Sequence, residues 1–348
     1  MAYSVNDPVQ ILAHVHSYAI TQALVGACHL RLFDHMENAG IASKQLAENL
    51  YADPEAMEEL LNALVSLGYV EKINAGNRTV QYRNTPISST YLVTTSAQSL
   101  YPYIMIQGQV AYPVQANFRH AVQEGKAQVE RTFGHARYFT NILANDQKKA
   151  MGFFASMHAL SRVFHCPVAL ESFDLSAYRE VCELGGGTGM VALALAQTYS
   201  TMNITVFDLP PAIEAADKFI PLSSKPENLR FQKGDLMRDS LPYCDLYVLS
   251  HIIHTYSEDQ ASYILKQVYA SLSPGGAVLI LENLYNDDKR GPQFTHMFSL
   301  SMLAFSGTRQ RSFPELKYLL ERQGFKNIEA KRTGSLSDAV LALKPALH

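Results

Sequence analysis

Glu183, three glycines at alternate positions (Gly185, Gly187 and Gly189) and a second acid, Asp208, nineteen residues beyond the last glycine, are the residues of this chain best suited to chemistry. The apolar pair Val181-Cys182 leads into the first acid, and a helical stretch from Met190 to Tyr199 follows the glycines. Asn203-Ile204-Thr205-Val206-Phe207-Asp208 then reads as a strand that ends on a carboxylate. A β-α-β unit of this kind is a nucleotide site. Its glycines let the backbone approach the ligand, and an acid after the second strand accepts from ribose hydroxyls.

The spacing separates two classes of nucleotide. Read from Gly185, a dinucleotide fingerprint needs glycine or alanine at position 190, where this chain has Met190. The pattern E-x-G-x-G-x-G suits S-adenosylmethionine instead, which has no pyrophosphate to seat at a helix N-terminus. Glu183, Gly185, Gly187, Asp208 and Leu209 are therefore expected at the cofactor, with the glycines along its methionine part and Asp208 on its ribose. Gly234-Asp235-Leu236-Met237, after a third strand, offers Asp235 for the adenine amino group and the Met237 thioether for the ring face. Taken alone, Asp235 reads equally as a solvated turn residue.

These residues need a sheet whose strand ends converge, because ligands of open α/β sheets bind outside the carboxyl ends. Strands are predicted at 179–184, 203–208, 229–233, 244–250 and 276–282, with helices between most of them, and Ser273-Pro274-Gly275-Gly276 announces the fifth. Two further strands, 326–332 and 338–344, lie a short turn apart and must pair as a hairpin. The fold class is α/β: a Rossmann-like, mostly parallel seven-stranded sheet closed by a C-terminal antiparallel hairpin.

Upstream, helical spacing over 8–37, a short helix Ser43–Leu50, and a helix Pro54–Leu67 capped by Asp53 and stopped by Gly68 precede a β-hairpin. Its strands are 69–73 and 79–82, joined by the polar turn 74–78. That order is a winged-helix arrangement. The helix that would enter a DNA groove carries Glu55, Glu58 and Glu59 and no lysine or arginine, so packing or dimerisation is the expected role. Two long helical stretches, 97–125 and 145–170, connect this part to the sheet. The expected division is a winged-helix domain 1–95, a helical linker region 96–172 and a cofactor-binding catalytic domain 173–348.

Composition is that of an ordinary globular protein. The 348 residues carry a net charge of −3, with 47% hydrophobic and 18% charged residues, which argues against nucleic acid as partner and against global disorder. Cys28, Cys166, Cys182 and Cys244 are scattered singly, as expected of reduced thiols in the cytoplasm. No basic-then-apolar leader opens the chain and no apolar run approaches ~18 residues, so no membrane partner is expected.

After the fourth strand comes Ser250-His251-Ile252-Ile253-His254-Thr255-Tyr256-Ser257-Glu258-Asp259. Together with Arg83-Asn84-Thr85 through Ser89, Thr132-Phe133-Gly134, the glycine motif, Thr205 to Pro210, Asp287 through Pro292 and Thr333-Gly334 through Lys344, this stretch resembles a known family. The chain is similar to small-molecule O-methyltransferases with an N-terminal winged-helix dimerisation domain, acetylserotonin O-methyltransferases above all. The resemblance implies a homodimer of secondary metabolism that binds S-adenosylmethionine and methylates an aromatic or similar hydroxyl. It places the general base at His254, a group whose proton affinity suits neutral pH, with Glu282 orienting it.

The chain departs from the family at four places. The family's His-Asp-Trp reads His254-Thr255-Tyr256 here, and its second orienting glutamate falls on Gln310. His251 stands where relatives have an arginine near the cofactor, and Arg162 where they have a pocket tryptophan. Phe153, Phe154 and Met157, and beyond His296 also Met302 and Phe305, match elements that wall the substrate in relatives; as a bare pattern they are core. Arg162 reads either as a grip for a substrate carboxylate or as a surface charge.

His296 opens a second reading. With His254 it offers two imidazoles for a mononuclear iron or zinc ion, which would favour the enolate of an α-keto acid for C-methylation. A third reading is a catalytically silent protein that binds S-adenosylmethionine only as a scaffold.

Overall fold

The computed structural model describes residues 7–36, 40–75, 79–134 and 146–346, and divides into two compact units, Met1–Tyr112 and Pro113–His348. The expected linker region 96–172 is shared between them. In the first unit, helices Pro8–Val15, Ser17–His29, Ser43–Asn49 and Pro54–Ser66 precede an antiparallel hairpin of β1 (Val70–Ala75) and β2 (Thr79–Asn84). The tip of the predicted turn, 76–78, and the end of the first predicted helical stretch, 37, lie outside the described residues. Asp53 caps the fourth helix by accepting from the N–H groups of Glu55 and Ala56. Leu32, Phe33, Met36, Leu46, Met57, Leu61, Leu64 and Tyr82 form the core, while Glu55, Glu58 and Glu59 face solvent.

One expectation needs correction. Pro8–His29 is long and apolar enough, by length and composition, to cross a membrane, with a mean hydropathy of 1.2 over its most apolar stretch, of which only 11% is buried. No unbroken apolar run shows this in the sequence because Gln10, His14, His16 and Gln22 interrupt it. Ile11, Leu12, Val15 and Tyr18 are each more than half exposed, an apolar face that the first unit itself leaves open.

The second unit is built on a seven-stranded sheet: β3 (Glu180–Leu184), β4 (Asn203–Asp208), β5 (Leu229–Lys233), β6 (Cys244–Ser250), β7 (Leu272–Glu282), β8 (Lys326–Lys331) and β9 (Asp338–Leu343). The order is β5-β4-β3-β6-β7-β9-β8, parallel from β5 to β7, with β9 antiparallel to both β7 and β8. The central strands are apolar over most of their length because both faces are covered. Cys182, Leu184, Tyr247, Leu249, Val278 and Ile280 pack on one side, and Val181, Leu246, Val248, Leu279 and Leu281 on the other. The fifth strand of the expected set begins four residues early, since Ser273-Pro274-Gly275-Gly276 is absorbed as an irregular start where the β6–β7 register shifts.

Strand order reverses between β3 and β6, where Val181 pairs with Leu246. The crevice of such a sheet opens at that reversal. The glycine motif leaves β3 and the His251–His254 segment leaves β6, so both predicted centres of chemistry emerge side by side. The long helical stretches are less regular than the sequence suggests. Gln107–Ala111 and Ser161–His165 each widen to π-helical turns, the second inside a run from Gln147 to Glu171. Residue 145 of the second stretch lies outside the described residues.

Candidate active site

The glycine loop is held from below and from the side. Glu183, 2% exposed, accepts the N–H of Ala192 at 2.9 Å through Oε2, tying the end of β3 to the first turn of helix Met190–Thr198. Burial, and to a lesser degree Asp208, pushes its carboxyl up to about 8. Its described bond makes Glu183 a support of the loop. Gly187 has φ +58°, a conformation that disfavours side chains, and a Cβ there would meet nothing within 4 Å. The backbone is therefore open to a close ligand at this residue. Gly185, at φ +64°, differs: a Cβ would strike Ile252 Cδ1, so that glycine lets the two loops pack.

Asp208 ends β4 beside this loop. Its Oδ2 accepts the Gly187 N–H and its Oδ1 the Leu209 N–H, each at 2.6 Å. Burial raises its carboxyl and the two amide bonds lower it, with a net upward shift. Leu209 beside it is 39% exposed, an apolar surface at the rim. After β5, Asp235 Oδ1 accepts the Met237 N–H at 2.9 Å and its Oδ2 lies 3.5 Å from Arg238 Nε. Tyr256, which sequence reasoning noted only as a departure, belongs to the same region. Its phenol is pushed up to about 12 by burial first and then by the charges of Asp235 and Asp208. Acid on β4, acid and thioether after β5, phenol after β6 and open backbone after β3 form a donor and acceptor set that fits an adenosyl group with a methionine tail.

On the other side of the crevice, His254 and Glu282 form a buried pair. His254 Nδ1 lies 2.7 Å from Glu282 Oε2, and Glu282 Oε1 accepts the His254 backbone N–H at 3.1 Å. Burial alone would raise the Glu282 carboxyl, but the charge and hydrogen bonds of His254 hold it below the usual range. A carboxylate only accepts, so Nδ1 carries a proton and Nε2 is the ring nitrogen left to face another partner. The pair is positioned by Arg311, 8% exposed, whose guanidinium donates to the carbonyls of Ile253 (2.8 Å) and Tyr256 (3.0 Å) on either side of His254.

His251 turns the chain toward that pair with φ +57°, an uncommon conformation for a residue with a side chain. Its ring stacks on His165 (4.2 Å between centroids, 27° between planes) and stands edge-on to His254 at 4.9 Å, while Nε2 lies 3.2 Å from Asn283 Oδ1. Burial, then the neighbouring His254, lowers it to about 4, and His165 is lowered by burial first and then by His251 and His254. Phe298 covers both rings, 5.6 Å from His254 and 5.7 Å from His251. Sequence reasoning missed His165 and Phe298. The signal for Phe298 was its place two residues beyond His296 on helix Gln293–Ser306; His165, in a π-helical turn, left none.

The remaining predicted residues divide. Phe154 is core against Ala212 and Ala215, and Phe153 packs on that cluster. Met157 and Met302 are partly buried, as is Phe305. Arg162 Nη2 donates to His158 Nε2 at 2.6 Å, and His158 Nδ1 then donates to Thr188 Oγ1 of the glycine loop at 2.8 Å. Burial, then Arg162, lowers His158 to about 4. His296 has its ring against Tyr285, 4.5 Å between centroids, whereas the ring neighbours of His254 are His251 and Phe298. Among the described residues no group of three or more His, Cys, Asp or Glu is arranged to hold a metal ion. The rings of His254 and His296 thus pack against different aromatic neighbours. A shallow groove of about 750 Å³ between Asp287, Phe313 and the β8 edge contains none of the predicted site residues.

Two family models match the chain, one for an O-methyltransferase domain over residues 116–326 and one for an O-methyltransferase dimerisation domain over 12–94. The chain belongs to the O-methyltransferase family. It is 33% identical to the acetylserotonin O-methyltransferase of Bos taurus, over 95% of this chain and 96% of that one. It is also 32% identical to a probable bifunctional dTTP/UTP pyrophosphatase/methyltransferase protein of Homo sapiens, over 97% of this chain and 54% of that protein. Among solved structures, human N-acetylserotonin methyltransferase in complex with S-adenosylmethionine matches with a TM-score of 0.92 at 30% identity, covering 99% of this chain and all of that one. The protein is accordingly an S-adenosylmethionine-dependent methyltransferase with a dimerisation domain, and neither the metal-dependent nor the silent reading is favoured.

Proposed function

We propose that this enzyme O-methylates a small neutral acceptor with an aromatic or similar hydroxyl, and that His254 is its general base. The observation that carries the reading is the buried His254–Glu282 pair, which leaves Nε2 as the proton acceptor. When bound, S-adenosylmethionine supplies the methyl group. Gly187, Asp208, Leu209, Asp235, Met237 and Tyr256 are the residues that would hold it, with Glu183 and Gly185 shaping the loop beside it. His254 Nε2 takes the hydroxyl proton as the oxygen–methyl bond forms and the sulfur–methyl bond breaks. Glu282 stabilises the resulting imidazolium and keeps the ring aligned, and much of the rate comes from that alignment. Phe298, Met157, Met302 and Phe153 are proposed walls of the acceptor pocket, with His251 as a neutral ring between cofactor and acceptor.

The dimerisation domain and the uncovered apolar face of Pro8–His29 support a homodimer. Four free, buried cysteines support work in a reducing compartment such as the cytoplasm. The resemblance to acetylserotonin methyltransferases favours an indolic or phenolic acceptor. Methyl transfer from labelled S-adenosylmethionine to a panel of indolic and phenolic alcohols tests this reading. Product labelled on oxygen is expected; label on carbon, or none across the panel, would overturn it.

A further inference from the structure

Gln310 is 1% exposed, and neither its Nε2 nor its Oε1 has a hydrogen-bond partner. Both atoms are closed off from bulk water. A buried donor or acceptor left unmade is destabilising, which makes a doubly orphaned amide an expensive residue to keep without a role. Its backbone, in contrast, is fixed on both sides. The Gln310 N–H donates to Ser299 Oγ at 3.0 Å, and its carbonyl accepts from Arg309 Nη1 at 3.1 Å.

The location is specific. Ser299 follows Phe298, the ring over His254, and Arg311 grips the carbonyls that bracket His254. Two more orphaned buried atoms border the same region: Ser250 Oγ, next to His251, and His165 Nε2, on the ring stacked against His251. Three residues with orphaned buried atoms thus lie on the segments that bear or pack against the His254 loop, and Gln310 contributes both atoms of its amide.

We propose that Gln310 is a specificity-determining residue, whose amide receives a neutral group on the acceptor that both donates and accepts, adjacent to the hydroxyl that is methylated. A carboxamide or second hydroxyl ortho to the reacting one has this chemistry. The amide presents a planar donor–acceptor pair, and a site built to bond such a group rejects analogues lacking it because its own polar atoms are then left unpaired. The inference rests on the proposed role of His254.

The test uses matched phenols and indolols with and without an ortho carboxamide, 2-hydroxybenzamide and phenol among them. Binding in the presence of S-adenosylhomocysteine and kcat/KM are measured for the wild type, Gln310→Leu and Gln310→Glu. The wild type should prefer the flanked member of each pair, and Gln310→Leu should shrink that preference about 10- to 100-fold, mainly through KM. Gln310→Glu should move the acid limb of the pH–rate profile to higher pH, because a carboxylate beside the base favours the imidazolium. Unchanged S-adenosylmethionine affinity checks that each variant is folded. No preference in any pair, no binding by any flanked member, or equal losses for both members would overturn the proposal, the last marking a structural or water-filled amide. If His254→Ala retains turnover, the base assignment has failed; if His254 is essential but Gln310→Leu does not discriminate, only the Gln310 assignment has.

Discussion

His254 is held by Glu282 at two points: one carboxylate oxygen lies 2.7 Å from Nδ1 and the other accepts the backbone N–H at 3.1 Å. The double contact fixes tautomer and ring position together. It also joins the segment after β6 to the end of β7, so both residues belong to one corner of the sheet.

Glu282→Gln keeps the shape of this corner but removes the charge that stabilises an imidazolium. The expected result is a fall in kcat of about 10²- to 10⁴-fold with little change in S-adenosylmethionine affinity. Steady-state kinetics with calorimetric cofactor binding checks it, and a variant with wild-type kcat would remove Glu282 from the account.

Asp208 bonds both the glycine loop and its own strand end. Asp208→Ala loosens Gly187 and deprives the ribose of its acceptor. Charge-assisted hydrogen bonds contribute about 1.5–3 kcal/mol, so cofactor Kd should rise about 10- to 150-fold. Equilibrium binding of S-adenosylhomocysteine measures this without turnover.

The two unequal halves of the site show what a sequence makes legible. The cofactor side was readable because its signals are local: alternate glycines, Asp208 at a strand end, Asp235 after the next. All seven strands fell within a few residues of their predicted places because apolar runs and turn residues mark them directly. The acceptor side was only partly readable. His254 and Glu282 were found through resemblance, since 28 residues and a helix separate them and only strand order brings them together. His165 reaches His251 from a distant helix, and Arg311 grips the base's loop from 58 residues away. Neither contact has a sequence period. The suggested partnership of His254 with His296 is not favoured, and helical placement alone did not show that the His296 ring packs on Tyr285.

Arg311→Lys tests the clamp on the base. One ammonium does not reproduce the planar fork that reaches the Ile253 and Tyr256 carbonyls together. Stability should fall by about 1–3 kcal/mol in urea denaturation. kcat should fall more than KM rises, since the variant misplaces His254 rather than removing an acceptor contact.

Stability should also depend on pH through His158 and His251, both lowered to about 4 in the folded protein. An unfolded histidine titrates near 6.5, so between about 6.5 and 4 the unfolded chain binds more protons than the folded one. Stability is then full above pH ~6.5 and is lost as pH falls toward 4. Urea midpoints measured from pH 7.5 down to 4.5 should decline over that window, and His158→Gln should make the decline shallower. A flat profile would show that these rings are not held neutral by burial.

The central claim, that His254 is the base of an O-methyl transfer, is tested most directly by the single-turnover rate of His254→Ala at saturating S-adenosylmethionine. The account predicts a rate about 10²- to 10⁴-fold below wild type, with cofactor Kd within about twofold. A rate within a few-fold of wild type would contradict it.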